Sequence, residues 1–264
     1  MVAAVLFDLG NTLAAYYRPS EFPPILADAI RAVRDELAVR GLCDVPLDAA
    51  LHAADAETGD APDHRVTPMV ERLERIFRVP LANDRSLAAT VCRRFLGPIF
   101  ALGRVYDDAL PTLDALRRAG VRTAIVSNAP WGSPADLWRE ELWRLRLADA
   151  VDAVVMCGDV GWRKPAPAIF QHALRALDCR PSDCIFVGDD ILWDIEGSAS
   201  VGMRPVLLER DGRRSTYAGD RIDSLHAVLA LAGLDARRGS PADGDTAHDG
   251  NEVKTENDVG GRAI

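Results

Sequence analysis

Asp8 closes a short apolar run, Val2–Phe7, and opens the stretch Asp8-Leu9-Gly10-Asn11-Thr12-Leu13. Three later places also put polar residues just beyond apolar runs. Ser127-Asn128 follows Val121–Val126, Gly161-Trp162-Arg163-Lys164-Pro165 lies beyond Ala153–Met156, and Gly188-Asp189-Asp190 follows Cys184–Val187, with Asp194 four residues further on. A carboxylate, a hydroxyl, a lysine and an acidic cluster together suit phosphoryl transfer. A carboxylate can attack phosphorus to form an aspartyl-phosphate, dividing hydrolysis into two easier steps. Two carboxylates side by side repel, so Asp8 beside Asp189 would partly protonate unless a cation lay between them. Mg²⁺ is such a cation, since it prefers oxygen ligands and neutralises charge on a phosphate. Ser127 and backbone N–H groups can bond phosphoryl oxygens while Lys164 offsets their charge.

Lysine is scarce here. The chain has two, Lys164 and Lys254, beside 29 arginines, and Lys254 falls in a polar tail. A compact ammonium is not replaced cleanly by a planar guanidinium, so a lone lysine among arginines points to a specific role. Each residue also has a plainer reading. Asp8 can cap a turn, Ser127 and Asn128 can be turn residues, and Lys164-Pro165 can open a helix. Asp189 and Asp194 can be a helix N-cap and a first-turn acid, and Asp190 is the one best explained that way. The conjunction of all four places is what argues for chemistry.

The elements that must position these residues follow from periodicity. Val2–Phe7, Val121–Val126, Ala153–Met156, Cys184–Val187 and Pro205–Leu208 read as buried strands. Ala109–Arg118, Ala135–Arg144, Ala166–Leu177 and Ile191–Val201 carry apolar residues at helical spacing. Alternation of the two predicts an α/β fold: a Rossmann-like parallel sheet with helices on both faces. Ligands bind beyond the carboxyl ends of such strands, where the polar residues above fall. The stretch from Ala14 to Gly103 breaks the rhythm, with no strand-like run and helical patterns at Ile25–Val39, Met69–Phe77 and Leu87–Phe95. It is too long for a loop and predicts an inserted all-α domain. The expected organisation is a core of residues 1–13 and 104–236, an insertion of residues 14–103, and a disordered acidic and polar tail of residues 237–264.

FDLGNTL, VSN, the lysine of WRKPAPAIF, and VGDDILWD resemble, in order, the four motifs of haloacid dehalogenase-like hydrolases. The resemblance runs from about Val2 to Gly202. It implies Asp8 as nucleophile, Mg²⁺ held by Asp8, the Gly10 carbonyl and Asp189, and phosphate gripped by Ser127, the Asn128 N–H and Lys164. It implies that Asp190 and Asp194 support the metal site, and that the helical insertion is a cap closing over the substrate.

One position departs from that pattern. Many phosphatases of the family carry a second Asp two residues after the nucleophile as general acid/base, and here that residue is Gly10. Such an acid is worth about 10²–10⁴ in rate. Family dehalogenases lack it but do not use the Gly-Asp metal motif. Phosphonatases lack it but need a cap lysine, and residues 14–103 contain none. The expectation is a Mg²⁺-dependent phosphatase of a small phosphorylated metabolite, with a substitute proton donor or a good leaving group. A phosphate-binding or regulatory protein with little turnover is the alternative, and a 2-haloacid dehalogenase-type hydrolase the second.

A formal charge of −9, from 31 basic and 40 acidic residues, argues against a nucleic-acid or anionic-membrane partner. Five cysteines without a C-x-x-C pair read as reduced thiols, and Val2–Phe7 lacks a basic leader, so a cytoplasmic protein is expected; the expected assembly is a monomer or homodimer. Trp131, Trp162 and Trp193 follow three strand ends and are candidates to rim the site, while Trp138 and Trp143 suit packing. Tyr16, Tyr17 and Arg18, where the chain leaves the first strand, are candidates to touch a leaving group.

Overall fold

Strand β1 (Ala4–Phe7) is apolar and buried at every position, as a strand covered on both faces must be. The computed structural model describes residues 2–59, 61–210, 212 and 215–234, so the tail expected from residue 237 lies outside them. After β1 comes the two-residue strand β2 (Ala14–Ala15), then four helices in a row: α1 (Phe22–Val39), α2 (Leu47–Ala56), α3 (Met69–Phe77) and α4 (Arg85–Phe100). The chain returns through β3 (Arg104–Val105) and then alternates. Helix α5 (Ala109–Arg118) leads to β4 (Arg122–Ser127), and α6 (Ala135–Arg144) to β5 (Ala153–Met156). Helices α7 (Cys157–Val160) and α8 (Pro167–Ala176) precede β6 (Cys184–Gly188), and α9 (Gly197–Ser200) precedes β7 (Arg204–Leu208). Strand β8 (Arg221–Ile222) and α10 (Ala227–Leu231) follow.

Six strands form one sheet in the order β5-β4-β1-β6-β7-β8, every pair parallel. From β1 the chain builds outward through β4 and β5 on one side, then through β6, β7 and β8 on the other. The reversal leaves a crevice beyond the carboxyl end of β1, flanked by the ends of β4 and β6. Phe7 aligns with Ile125 of β4 and Val187 of β6, so the residue after Phe7 enters that crevice.

The four-helix insertion has its own apolar seam. Leu26, Ala29, Ile30, Val33 and Leu37 of α1 are buried at helical spacing against α4, which buries Val91, Cys92, Phe95, Leu96 and Ile99. Each such large side chain contributes at most about 1.5–3 kcal/mol. Asp84 caps α4 by accepting the Ser86 and Leu87 N–H groups at 2.9 and 3.0 Å. Both crossings between core and insertion run side by side, because β2 pairs antiparallel with β3.

Four expectations need correction. Strand β2 lies in the stretch expected to hold none, since two alanines carry no alternation to read. Helix α4 begins earlier than Leu87 and passes Pro98 to reach Phe100, whose ring packs edge-on to Trp138 at 5.0 Å. The helix expected over Ile191–Val201 starts as a wide π turn, Ile191–Glu196, before α9. Strand β8 has no counterpart in the sequence pattern.

Candidate active site

The turn after β1 places Asp8 in the crevice. Its N–H bonds the Val187 carbonyl at 2.9 Å, while Leu13 and Ala14 N–H groups fold back on the Leu9 carbonyl at 3.0 and 2.9 Å. Asn11 takes the left-handed conformation that turn needs, φ 56°, which asparagine tolerates better than most residues. Gly10 is open: a Cβ there would meet nothing within 4 Å.

Lys164 enters from the loop after α7 and is 2% exposed. Its Nζ donates to Asp8 Oδ1 at 2.5 Å and to Asp194 Oδ1 at 2.6 Å. Burial alone would lower its pKa, but the charges of Asp194 and Asp8 outweigh burial and hold the ammonium protonated beyond the usual lysine range. Asp194, 1% exposed, also accepts the Asp190 N–H at 3.1 Å through Oδ2. Burial raises its carboxyl, against the pull of Lys164 and with the push of Asp8. Asp189 reaches solvent, yet surrounding protein and then the Asp8 and Asp194 charges drive its carboxyl up to about 8.

One oxygen from each of Asp8, Asp189 and Asp194 lies within 4.8 Å of the others. Among the described residues one ammonium, Lys164, pairs with two of these three carboxylates, Asp8 and Asp194, which leaves an excess of negative charge that a divalent cation would relieve. All-oxygen donors of this kind suit a hard cation. Asp194 thus does more than the sequence suggests, since it joins the acidic cluster and salt-bridges the lysine. Asp190 turns away from the cluster, and its Oδ1 accepts the Trp193 N–H at 2.8 Å to cap the π turn.

Ser127 ends β4, 5% exposed, and the nearest acceptor for its hydroxyl is the Asn128 carbonyl at 3.5 Å, a marginal contact. The Asn128 side chain reaches the lysine loop, bonding both the N–H and the carbonyl of Lys164. Cys157 holds the segment after β4 by accepting the Ala129 N–H at 3.1 Å.

The helical insertion touches the lysine loop directly. Val66 N–H bonds the Gly161 carbonyl at 3.0 Å, and Arg163 N–H bonds the His64 carbonyl at 2.9 Å. The Arg65 guanidinium lies over the Trp162 ring at 4.7 Å. His64 adopts φ 62° within this strap. Of the tryptophans expected at the rim, Trp193 is exposed and Trp162 is half-buried, but Trp131 is buried against Phe95 of α4, 5.1 Å between rings. Its left-handed backbone, φ 57°, accompanies that inward placement. Tyr16 likewise packs on Trp138, and burial and Glu141 hold its phenol well above the usual range. Tyr17 stacks on Phe22, its carbonyl accepting from Asn11 Nδ2 at 3.4 Å; burial pushes its phenol up to about 12 against the opposing charge of Arg163.

A family model described as haloacid dehalogenase-like hydrolase matches residues 2–202, and the chain belongs to that family. It is 30% identical over 210 residues to a glyceraldehyde 3-phosphate phosphatase of Methanopyrus kandleri, covering 80% of this chain and 85% of that one. It is 31% identical over 233 residues to a ribulose-1,5-bisphosphate 5-phosphatase of Halopiger xanaduensis, covering 84% and 91%. The crystal structure of a 2-haloacid dehalogenase from Pseudomonas syringae superposes with a TM-score of 0.65 at 24% identity, covering 88% of this chain and 99% of that one. That last likeness is one of fold. No helix among the described residues is long and apolar enough to cross a membrane.

Proposed function

We propose that this hydrolase is a Mg²⁺-dependent phosphatase of small phosphorylated metabolites, working through an aspartyl-phosphate on Asp8. The observation that carries the proposal is the arrangement at the β1 crevice: Asp8 beside a buried ammonium, within one group of three carboxylates. A binding protein has no use for a nucleophile held there. A dehalogenase has no use for the acidic excess.

In this reading an Asp8 carboxylate oxygen forms a bond to phosphorus as the ester P–O bond breaks, and the departing oxygen takes a proton or leaves as an anion. Water then releases inorganic phosphate and restores Asp8. Ser127 and the Asn128 N–H hold phosphoryl oxygens, and Lys164 balances charge as it develops. Asp8, the Gly10 carbonyl and Asp189 would hold Mg²⁺, with Asp194 in direct support and Asp190 supporting it through the N–H that bonds Asp194; when bound, the cation neutralises the phosphoryl group and the acidic cluster. The helical insertion serves as the cap. The candidates for a leaving-group proton are His64, on the strap, whose carbonyl accepts the Arg163 N–H, His52, exposed on α2, and a carboxylate of the insertion.

The experiment is a panel of phosphate esters with Mg²⁺, led by glyceraldehyde 3-phosphate and ribulose 1,5-bisphosphate because the two relatives are named for them. Release of phosphate from at least one member is expected. Turnover of 2-haloacids and of no phosphate ester would replace the proposal with the dehalogenase reading, and tight phosphate binding without turnover would replace it with the binding reading.

A further inference from the structure

The Asn128 side chain bonds a residue 36 positions away through both halves of its amide. Oδ1 accepts the Lys164 N–H at 2.8 Å, and Nδ2 donates to the Lys164 carbonyl at 3.2 Å. One partner is a donor and the other an acceptor, so the amide's orientation is fixed by what it meets. An alcohol or a carboxylate cannot make the same pair of bonds from one planar group.

The anchor matters because of what hangs from it. The Lys164 ammonium ends a flexible stem of four methylenes, yet must meet Asp8 and Asp194 at 2.5 and 2.6 Å at once. Along that stem its neighbours include the Phe186 ring, 5.6 Å from Nζ, which does not fix where the stem begins. On the other side of the loop the strap holds Arg163 and Gly161, not Lys164 itself. Asn128 therefore ties the root of the lysine to the end of β4, the strand end that also carries Ser127.

We propose that Asn128 is a positioning residue that acts through Lys164, a role separate from its backbone N–H at the phosphate. The inference rests on the phosphatase reading. Removing the side chain leaves that N–H in place but lets the root of Lys164 move. Displacements of about 1 Å cost on the order of 10²-fold in rate, so Asn128→Ala should lower kcat by about 10- to 100-fold. KM should change by less than about threefold, because the ammonium matters most where charge develops. Asn128→Asp keeps the shape and the acceptor but turns an oxygen toward the Lys164 carbonyl, and should do at least as much damage.

The test is a double-mutant cycle on the full chain: Asn128→Ala, Lys164→Ala and the combination, with an aryl phosphate for kcat and inorganic phosphate binding by calorimetry. If Asn128 acts through Lys164, the double variant is no worse than Lys164→Ala alone. Multiplying losses, or a wild-type kcat in Asn128→Ala, overturns the assignment. Should Asn128→Ala fail to fold, Asn128→Asp carries the same cycle. Turnover by wild type with uncoupled losses defeats this inference alone, whereas a wild type that neither turns over phosphate esters nor binds phosphate defeats the phosphatase reading and this inference with it.

Discussion

Gly188 and Asp194 approach so closely that a Cβ on the glycine would overlap the aspartate side chain. The last residue of β6 must be bare for the carboxylate to reach back to Lys164 and to the Asp190 N–H. Gly188→Ala should therefore lose about 1–3 kcal/mol through overpacking, or roughly 2–4 °C in Tm for each kcal/mol in a chain of this size. Activity should fall further than stability, because Asp194 must move. Thermal denaturation and kcat measured together check this, and a variant unchanged in both would mean that Asp194 does not need its observed position.

The three-carboxylate group predicts a metal requirement. Protein treated with EDTA should lose phosphate release and regain it with Mg²⁺. Asp189→Ala should raise the half-saturating Mg²⁺ concentration by more than about tenfold, the lower end of what even outer partners of a metal contribute. Full activity in EDTA, or an unchanged Mg²⁺ titration for the variant, would remove the cation from the mechanism.

Gly10 leaves room for the carboxylate that many relatives carry there, since a Cβ would meet nothing within 4 Å and its backbone is not left-handed. Wild type should then favour leaving groups that depart without a proton, turning over aryl or acyl phosphates better than alkyl ones. Gly10→Asp should narrow that gap by raising kcat/KM for an alkyl phosphate, with about 10²–10⁴ as the ceiling. A wild type indifferent to the leaving group would show that a proton donor already exists, with His64 the first residue to replace.

The strap predicts slow amide exchange at Val66 and Arg163. A cation–π contact at an exposed position is worth about 0.5–1 kcal/mol, so Arg65→Ala should speed exchange at those two amides by about two- to fivefold. Mass-spectrometric hydrogen exchange over residues 61–67 and 161–164 reads this, and unchanged exchange would remove Arg65 and Trp162 from the strap's contact with the lysine loop.

What can be read from the chain depends on whether the signal is local. Ala109–Arg118, Ala135–Arg144 and Ala153–Met156 fall where periodicity puts them, because each helix buries an apolar stripe and the strand is a short apolar run buried at its carboxyl end. The placement of Asp8, Ser127 and Asp189 at strand ends is legible because each closes an apolar run, and Lys164 draws notice because it stands alone among the arginines of the described residues. The anchoring role of the Asn128 amide is not, since an asparagine after a strand looks like any turn residue and its partner is 36 positions away. The strap is hidden for the same reason: nothing in His64-Arg65-Val66 indicates that its backbone pairs with the lysine loop. Trp131 follows a strand end as Trp193 does, and only the packing of α4 against the core sends one inward while the other stays exposed. Gly188 gives a faint local clue, a bare residue before two acids, which becomes meaningful once Asp194 folds over it.

Asp8 as the group that takes the phosphoryl is the centre of this mechanism. The direct measurement compares phosphate release by wild type and by Asp8→Asn, at saturating Mg²⁺ and with circular dichroism to verify the fold. The substitution keeps the shape of the side chain and removes the nucleophilic carboxylate, so the predicted result is a folded protein with activity reduced at least about a thousandfold. A folded Asp8→Asn protein retaining more than about a tenth of wild-type activity would contradict the mechanism, because a covalent step through that oxygen could not survive the exchange.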